Sequence, residues 1–354
     1  MQPPVIDIGA LVDRGAGRER DRDEVGRLIV RACEEVGFFQ VIGHGVDPGL
    51  RRDLFDTARR FFELPTEEKG AIAMERGGTA WRGWFPVGGE LTSGVPDLKE
   101  GIYFGTELTD DDPRVRARLP LHGPNLFPRR PPELAGTVLG WMRAVTAVGH
   151  AVLSGIAVGL GLQPDWFDRW CADPTVLFRI FHYPPAPAGA PAGWGVAEHT
   201  DYGLLTLLAL DDAGGLEVRV GDRWVEVPPR PDAFVVNLGD MLERMTGGRF
   251  RSTPHRVGAP RADRYSFPLF LDPGWDVEVG PLPGIAAGPG RHPDATERWD
   301  GTTVVEGTGT YGEYLSSRVA RVFPELFRSV GLGPREPGAD GDSVVADVDD
   351  DAGR

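Results

Sequence analysis

The 354-residue chain is short of several things, and each shortage removes a class of function. It has two cysteines, Cys33 and Cys171, in helix-like contexts and without a CxxC spacing. Neither a disulfide framework nor a zinc ribbon is legible, and both thiols are expected to be reduced packing residues. Positive charge is outnumbered: 38 Lys+Arg stand against 53 Asp+Glu, a formal net charge of −15, and no basic run is interleaved with aromatics. That balance repels phosphate backbones and anionic membrane surfaces, so neither nucleic acid nor membrane is an expected partner. The N-terminal MQPPVIDIGA lacks a basic segment followed by an apolar one, so no secretory leader is read and a cytoplasmic protein is expected. The most apolar stretch, 134–162, carries Arg143 and His150, which favours a buried helix over a bilayer span. No internal repeat is visible.

What is present changes texture along the chain. Residues 21–36 place Val25, Leu28, Ile29, Ala32 and Val36 at helical spacing and stop at Gly37. Phe38 to Ile42 reads as a short strand closed by the turn Gly43-His44-Gly45, and a second helix is expected over 48–63, stopped by Pro65. Residues 77–101, rich in Gly, Pro and Trp, show no period and read as a long ordered loop over a binding site. From about residue 176 short β-rich runs follow one another, at 177–183, 203–210, 215–220, 223–227, 233–237, 254–258 and 264–271, a spacing that predicts an antiparallel barrel or jelly roll. A helical pattern returns at 310–328, and the acidic, Gly-rich end reads as a disordered tail.

Chemistry concentrates in the β-rich half. His199 and Asp201 stand two residues apart, and on an extended segment such residues share a face, so both can reach one metal. The apolar run Leu204–Leu210 follows at once, which puts the pair at the mouth of a core strand. His255, in Thr253-Pro254-His255-Arg256-Val257, supplies a third ligand from a distant strand. Two imidazoles and one carboxylate form the facial set that suits non-haem Fe(II) with open positions. Zinc hydrolysis fits the same ligand types, but the chain has no HExxH. On a neighbouring strand Arg264, Ser266 and Phe270 share one parity, and guanidinium beside hydroxyl makes a carboxylate clamp. Tyr183, in parity with Arg179 and Phe181, is placed to add a phenolic hydrogen bond, whereas His182 has opposite parity and faces away. His44 reads as a turn residue, His122, His150 and His292 as surface or packing residues, and Asn237 and Asp240 as satisfying backbone groups near a turn. Arg82, Tyr103, Trp81 and Trp84 are candidates for lining a substrate pocket.

With PVIDIGAL, GFFQVIGHGV, RIFHYPPAP, HTDYGLLTLL, VNLGDML, STPHRV and RYSFPLFLDP in this order, the chain resembles the iron(II)/2-oxoglutarate-dependent oxygenases over about residues 3–330, in the branch of isopenicillin N synthase and the plant flavonoid and hormone dioxygenases. The resemblance implies an α+β protein with a mainly β core, a double-stranded β-helix (jelly roll) flanked by N-terminal and C-terminal helices. Residues 1–165 would form the N-terminal helical and mixed region, 166–335 the β-helix core with its last helix, and 336–354 the tail. It implies His199, Asp201 and His255 as iron ligands, Arg264 and Ser266 with Tyr183 as the 2-oxoglutarate carboxylate clamp, and Phe270, Arg82 and Tyr103 toward substrate. The implied activity couples conversion of 2-oxoglutarate and O₂ to succinate and CO₂ with C–H oxidation of a small molecule, an amino acid or secondary metabolite, by a monomer or weak homo-oligomer. Three alternatives stay open: a 2-oxoglutarate-independent oxidase, an ethylene-forming enzyme, and a non-catalytic metal-binding barrel. The chain departs from the plant pattern at Phe181-His182-Tyr183-Pro184, where many plant members have Asn-Tyr-Tyr-Pro.

Overall fold

The computed structural model describes residues 2–322 apart from 14, 16, 93, 186–192, 260 and 286–308. Its strands are β1 (Val5–Asp7), β2 (Phe38–Ile42), β3 (Gly83–Phe85), β4 (Leu91–Thr92), β5 (Val95–Pro96), β6 (Glu100–Gly105) and β7 (Thr175–Tyr183) in the first half. β8 (Trp194–His199), β9 (Leu205–Leu210), β10 (Leu216–Val220), β11 (Arg223–Glu226), β12 (Phe234–Leu238), β13 (His255–Gly258) and β14 (Arg264–Asp272) follow. Eight of them form a major sheet in the order β1-β2-β12-β9-β14-β7-β6-β3, and four form a minor sheet in the order β11-β10-β13-β8. The two sheets enclose the cavity described below, which makes the expected double-stranded β-helix. The N-terminal region is part of this body, because β1, β2, β3 and β6 all belong to the major sheet.

Helices cover the outer face of the major sheet. Glu19–Glu35 and Pro48–Phe62 lie within two residues of the expected spans, and Asp47 caps the second by accepting from the Gly49 amide at 2.8 Å. Leu134–Gly159 is, among the described residues, the helix long and apolar enough to cross a bilayer by length and composition. Here its apolar faces are spent on the sheet and on the first two helices. Gly159 meets Gly26 so closely that a Cβ would lie 2.2 Å from the Gly26 carbonyl, so the two helices cross backbone to backbone. Trp141, Val145, Val152 and Ile156 on this helix are fully buried, each contributing about 1.5–3 kcal/mol. Gly37, with φ 71°, turns the chain into β2 where a Cβ would strike the Arg251 carbonyl at 2.2 Å.

The expected loop at 77–101 is corrected: it contains β3, the hairpin of β4 and β5, and the start of β6. β3 and β6 are buried on both faces, so they lack the alternation by which strands are read from sequence. The strand expected at 203–210 begins at Leu205, since Asp201–Leu204 is spent on a turn. The last helix runs Tyr311–Val322; the expected residues beyond it, the acidic tail and His292 lie outside the described residues. Cys33 and Cys171 are free and buried, and burial pushes both thiols far above their ordinary range.

Candidate active site

β8 and β13 pair antiparallel with His199 directly opposite His255, and the two imidazole centroids lie 4.2 Å apart. Each ring turns Nδ1 back on its own chain: His199 donates to the Ala197 carbonyl at 2.8 Å and His255 to the Thr253 carbonyl at 3.1 Å. A carbonyl only accepts, so Nδ1 carries the hydrogen and Nε2 presents a lone pair. Asp201 Oδ1 lies 3.9 Å from His199 Nε2 and 3.8 Å from His255 Nε2, and all three ligand atoms fall within 4.8 Å of one another. One first-row ion can reach all three. Burial pushes the His255 pKa down to about 4, aided by His199, so that ring is a neutral ligand at pH 7. Burial works against ionised Asp201, but His255, His199 and two hydrogen bonds outweigh it and hold the carboxyl below its ordinary range.

Those two hydrogen bonds correct the sequence reading of Asn237. Asn237 Nδ2 donates to Asp201 Oδ2 at 2.6 Å, and the Thr206 hydroxyl donates to the same oxygen. Asn237 on β12 and Thr206 on β9 are cross-strand partners, so one rung of the major sheet fixes the carboxylate and leaves Oδ1 toward the imidazoles. Asp240 is also more than a turn residue: its amide donates to the Asp201 carbonyl at 2.8 Å, and its carboxylate accepts from Ser252 and Tyr314. Gly239 packs on Gly203 so tightly that a Cβ would sit 2.2 Å from the Gly203 carbonyl. The segment bearing Asp201 is thereby locked to the segment bearing Asp240.

β14 and β7 place Arg264 opposite Tyr183 and Ser266 opposite Phe181. The Arg264 guanidinium is 4.4 Å from the Tyr183 ring centre, and its Nε donates to the Gly214 carbonyl at 2.8 Å. Its Nη1 is buried without a hydrogen-bond partner among the described residues. The Tyr183 hydroxyl and Ser266 Oγ are 3.3 Å apart beside it. An orphaned guanidinium donor next to two hydroxyls fits an incoming carboxylate, and leaving such a donor unpaired is costly otherwise.

Triad and clamp line one cavity of about 380 Å³. Tyr103 and Phe270 line it, as expected of substrate candidates. Arg82 does not. Its arm lies over Gly105, and its Nη1 and Nη2 donate to the carbonyls of Thr106, Gly123 and Leu121 and to the Asn125 amide oxygen, which makes it a buried staple between loops. Trp84 donates to Glu100 on the outer side of the same strands. The cavity holds residues that the sequence reading missed: Glu90, Lys99, Asp272 and Arg318. Lys99 is ion-paired with Glu90 at 2.9 Å and with Asp97, while Tyr103 donates to Glu90 and Thr92 to Asp97, which clips the β4–β5 hairpin over the opening. Burial pushes Asp272 up to about 7, and Tyr311 of the last helix donates to it. Lys99 had a signal in being one of only two lysines in the chain; the others had none short of the fold.

On the far side of β7, His182 faces away from the clamp as parity requires. Its Nδ1 lies 2.9 Å from Glu100, its Nε2 2.7 Å from Asp263, and its ring stacks on Tyr265. Burial opposes its protonation, but the two carboxylates outweigh it and raise the pKa.

Comparison with known proteins bears on this geometry directly. Residues 3–130 match the family described as non-haem dioxygenase in morphine synthesis N-terminal, and residues 174–273 match the 2OG-Fe(II) oxygenase superfamily. A probable iron/ascorbate oxidoreductase of Dictyostelium discoideum is 42% identical, over 93% of this chain and 97% of its own. The chain belongs to the 2OG-Fe(II) oxygenase superfamily. A 2-oxoglutarate-dependent dioxygenase of Monascus ruber is 36% identical to this oxygenase over 90% of the chain and 95% of its own. A full-length Neurospora crassa protein solved in complex with alpha-KG is 27% identical with a TM-score of 0.74, covering 90% of this chain and 95% of its own. The oxygenase is thus an oxidoreductase that uses Fe(II) and 2-oxoglutarate on a small molecule.

Proposed function

We propose that His199, Asp201 and His255 hold the iron, that Arg264, Ser266 and Tyr183 hold the distal carboxylate of 2-oxoglutarate, and that the product is a hydroxylated amino acid or secondary metabolite. The observation that carries this reading is the orphaned Nη1 of Arg264 in the same cavity as the three clustered ligands. When bound, iron and 2-oxoglutarate would let O₂ act as the oxidant, one oxygen atom going to the substrate and the other to 2-oxoglutarate, which would end as succinate and CO₂. The chain supplies position and dryness. Asn237 and Thr206 keep Asp201 turned toward the imidazoles, and the Tyr183 ring supports the Arg264 guanidinium from one side. The β4–β5 hairpin and Leu315, Arg318 and Val319 of the last helix close the substrate side against water.

The test is anaerobic Fe(II) titration with and without 2-oxoglutarate, watching the weak visible band of the chelate. The band is expected only with both additions, and it should vanish in His199→Ala. Arg264→Gln should keep iron binding and raise the KM for 2-oxoglutarate about 10- to 100-fold, the loss expected of one charge-assisted hydrogen bond. Tight iron binding with an unchanged KM in that variant would remove the clamp from Arg264.

A further inference from the structure

The oxygenase treats its buried cations in two ways. Both of its lysines are buried and each meets a carboxylate: Lys69 lies 2.7 Å from Glu100, and Lys99 is paired with Glu90 and Asp97. Arg82, outside the cavity, gives Nη1 and Nη2 to carbonyls and Asn125, and its Nε has no partner among the described residues. Arg264 and Arg179, both buried in the cavity wall, have no carboxylate oxygen within 4.0 Å among the described residues. Arg179 spends Nη1 on the carbonyls of Phe104 and Phe178, and its guanidinium carbon lies over the Tyr103 ring, 3.5 Å from its centre. A buried charge without a counter-ion is expensive, and burial accordingly holds the Arg179 pKa below the ordinary arginine value.

Arg179 stands four residues before Tyr183, the cross-strand partner of Arg264, on the same face of β7. A rise of about 3.3 Å per residue separates the two levels by roughly 13 Å. One five-carbon diacid gripped at Arg264 does not span that distance, so the two arginines serve different molecules. Around Arg179 the wall is largely apolar, from Leu177, Phe181 and Phe270, and the two nearby carboxylates are already engaged, Glu90 by Lys99 and Tyr103 and Asp272 by Tyr311 and the Leu204 amide. We propose that Arg179 is a specificity-determining residue that pairs with a carboxylate of the substrate, so that the oxygenase acts on a small organic acid. This rests on the assignment of Arg264 to 2-oxoglutarate.

The full-length protein, loaded anaerobically with Fe(II) and saturating 2-oxoglutarate so that the Arg264 site is filled, is titrated with two acid and amide pairs: benzoate with benzamide, and 3-phenylpropionate with 3-phenylpropionamide. Binding is read from the perturbed chelate band and from tryptophan fluorescence. Wild type is expected to bind each acid at least about tenfold more tightly than its amide, as a desolvated charge pair requires. Arg179→Gln should erase that preference, Arg179→Lys should keep part of it, and both should bind 2-oxoglutarate like wild type. Equal or absent binding of acids and amides by wild type overturns the proposal, as does a preference that survives Arg179→Gln. Loss of 2-oxoglutarate affinity in Arg179→Gln also overturns it, by moving Arg179 into the cosubstrate site. Failure of the underlying assignment is separately visible, as a wild-type protein with no 2-oxoglutarate-dependent band before any acid is added.

Discussion

His255 and His182 are both largely buried on β-strands of the same body, yet their surroundings push them in opposite directions. His255 gives Nδ1 to a carbonyl and keeps Nε2 open beside Asp201, whose charge the second imidazole and the Asn237 and Thr206 bonds help to hold. His182 has a carboxylate on each nitrogen and stacks on Tyr265. One ring is kept neutral with a lone pair to share; the other has its charged form favoured and ties β6, β7 and the start of β14 together. The difference lies in where the carboxylates point, since each histidine has at least one close by.

The comparison breaks most severely at the metal end. His255→Ala should weaken Fe(II) binding by more than about 100-fold, because losing an outer hydrogen-bond partner alone can reach that figure; metal titration by mass spectrometry checks it. Asn237→Ala tests whether carboxylate orientation matters independently of ligand count. It should lower Fe(II) affinity about 10- to 100-fold with the fold intact by circular dichroism. At the strap end, His182→Gln should leave Fe(II) affinity unchanged and cost about 1–2 kcal/mol of unfolding free energy at pH 6. The sign with pH follows from the raised His182 pKa: its stabilisation is complete below its ordinary value of 6.5 and is lost as pH rises through the folded value. Glu100, whose bonds to His182, Lys69 and Trp84 overcome burial and lower its pKa, is stabilising above its ordinary 4.5 and loses that as pH falls further. Denaturant melts should therefore show the gap between wild type and His182→Gln shrinking as pH rises above 6.5, and a constant gap would remove the charge from the strap.

The two ends also differ in what could be read from the chain. His199 and Asp201 were legible as neighbours because they stand two residues apart, although Asp201 lies just past the end of β8. His255 was legible as a third candidate from a distant strand, and Arg264 with Ser266 because a two-residue spacing on a strand fixes a shared face. Asn237 and Thr206 were not, because their meeting depends on the register between β12 and β9, a pairing that no local pattern reports. Arg82 was misplaced because a Gly-rich segment says nothing about which way its one long side chain points. β3 and β6 went unread because strands buried on both faces lose the alternation that announces them.

The backbone contact between Gly203 and Gly239 divides the cavity into a part that tolerates variation and a part that does not. No side chain fits at that seam, so drift in either segment displaces Asp201 itself. The β4–β5 hairpin and the turn of helix from Leu315 to Val319 line the cavity without supplying a metal ligand. A gene library randomised at 91–96 and 315–319 should yield mostly iron-competent variants with shifted appetites, whereas one randomised at 203 and 239 should yield almost none. For this oxygenase, new substrates are reached through the hairpin and the last helix.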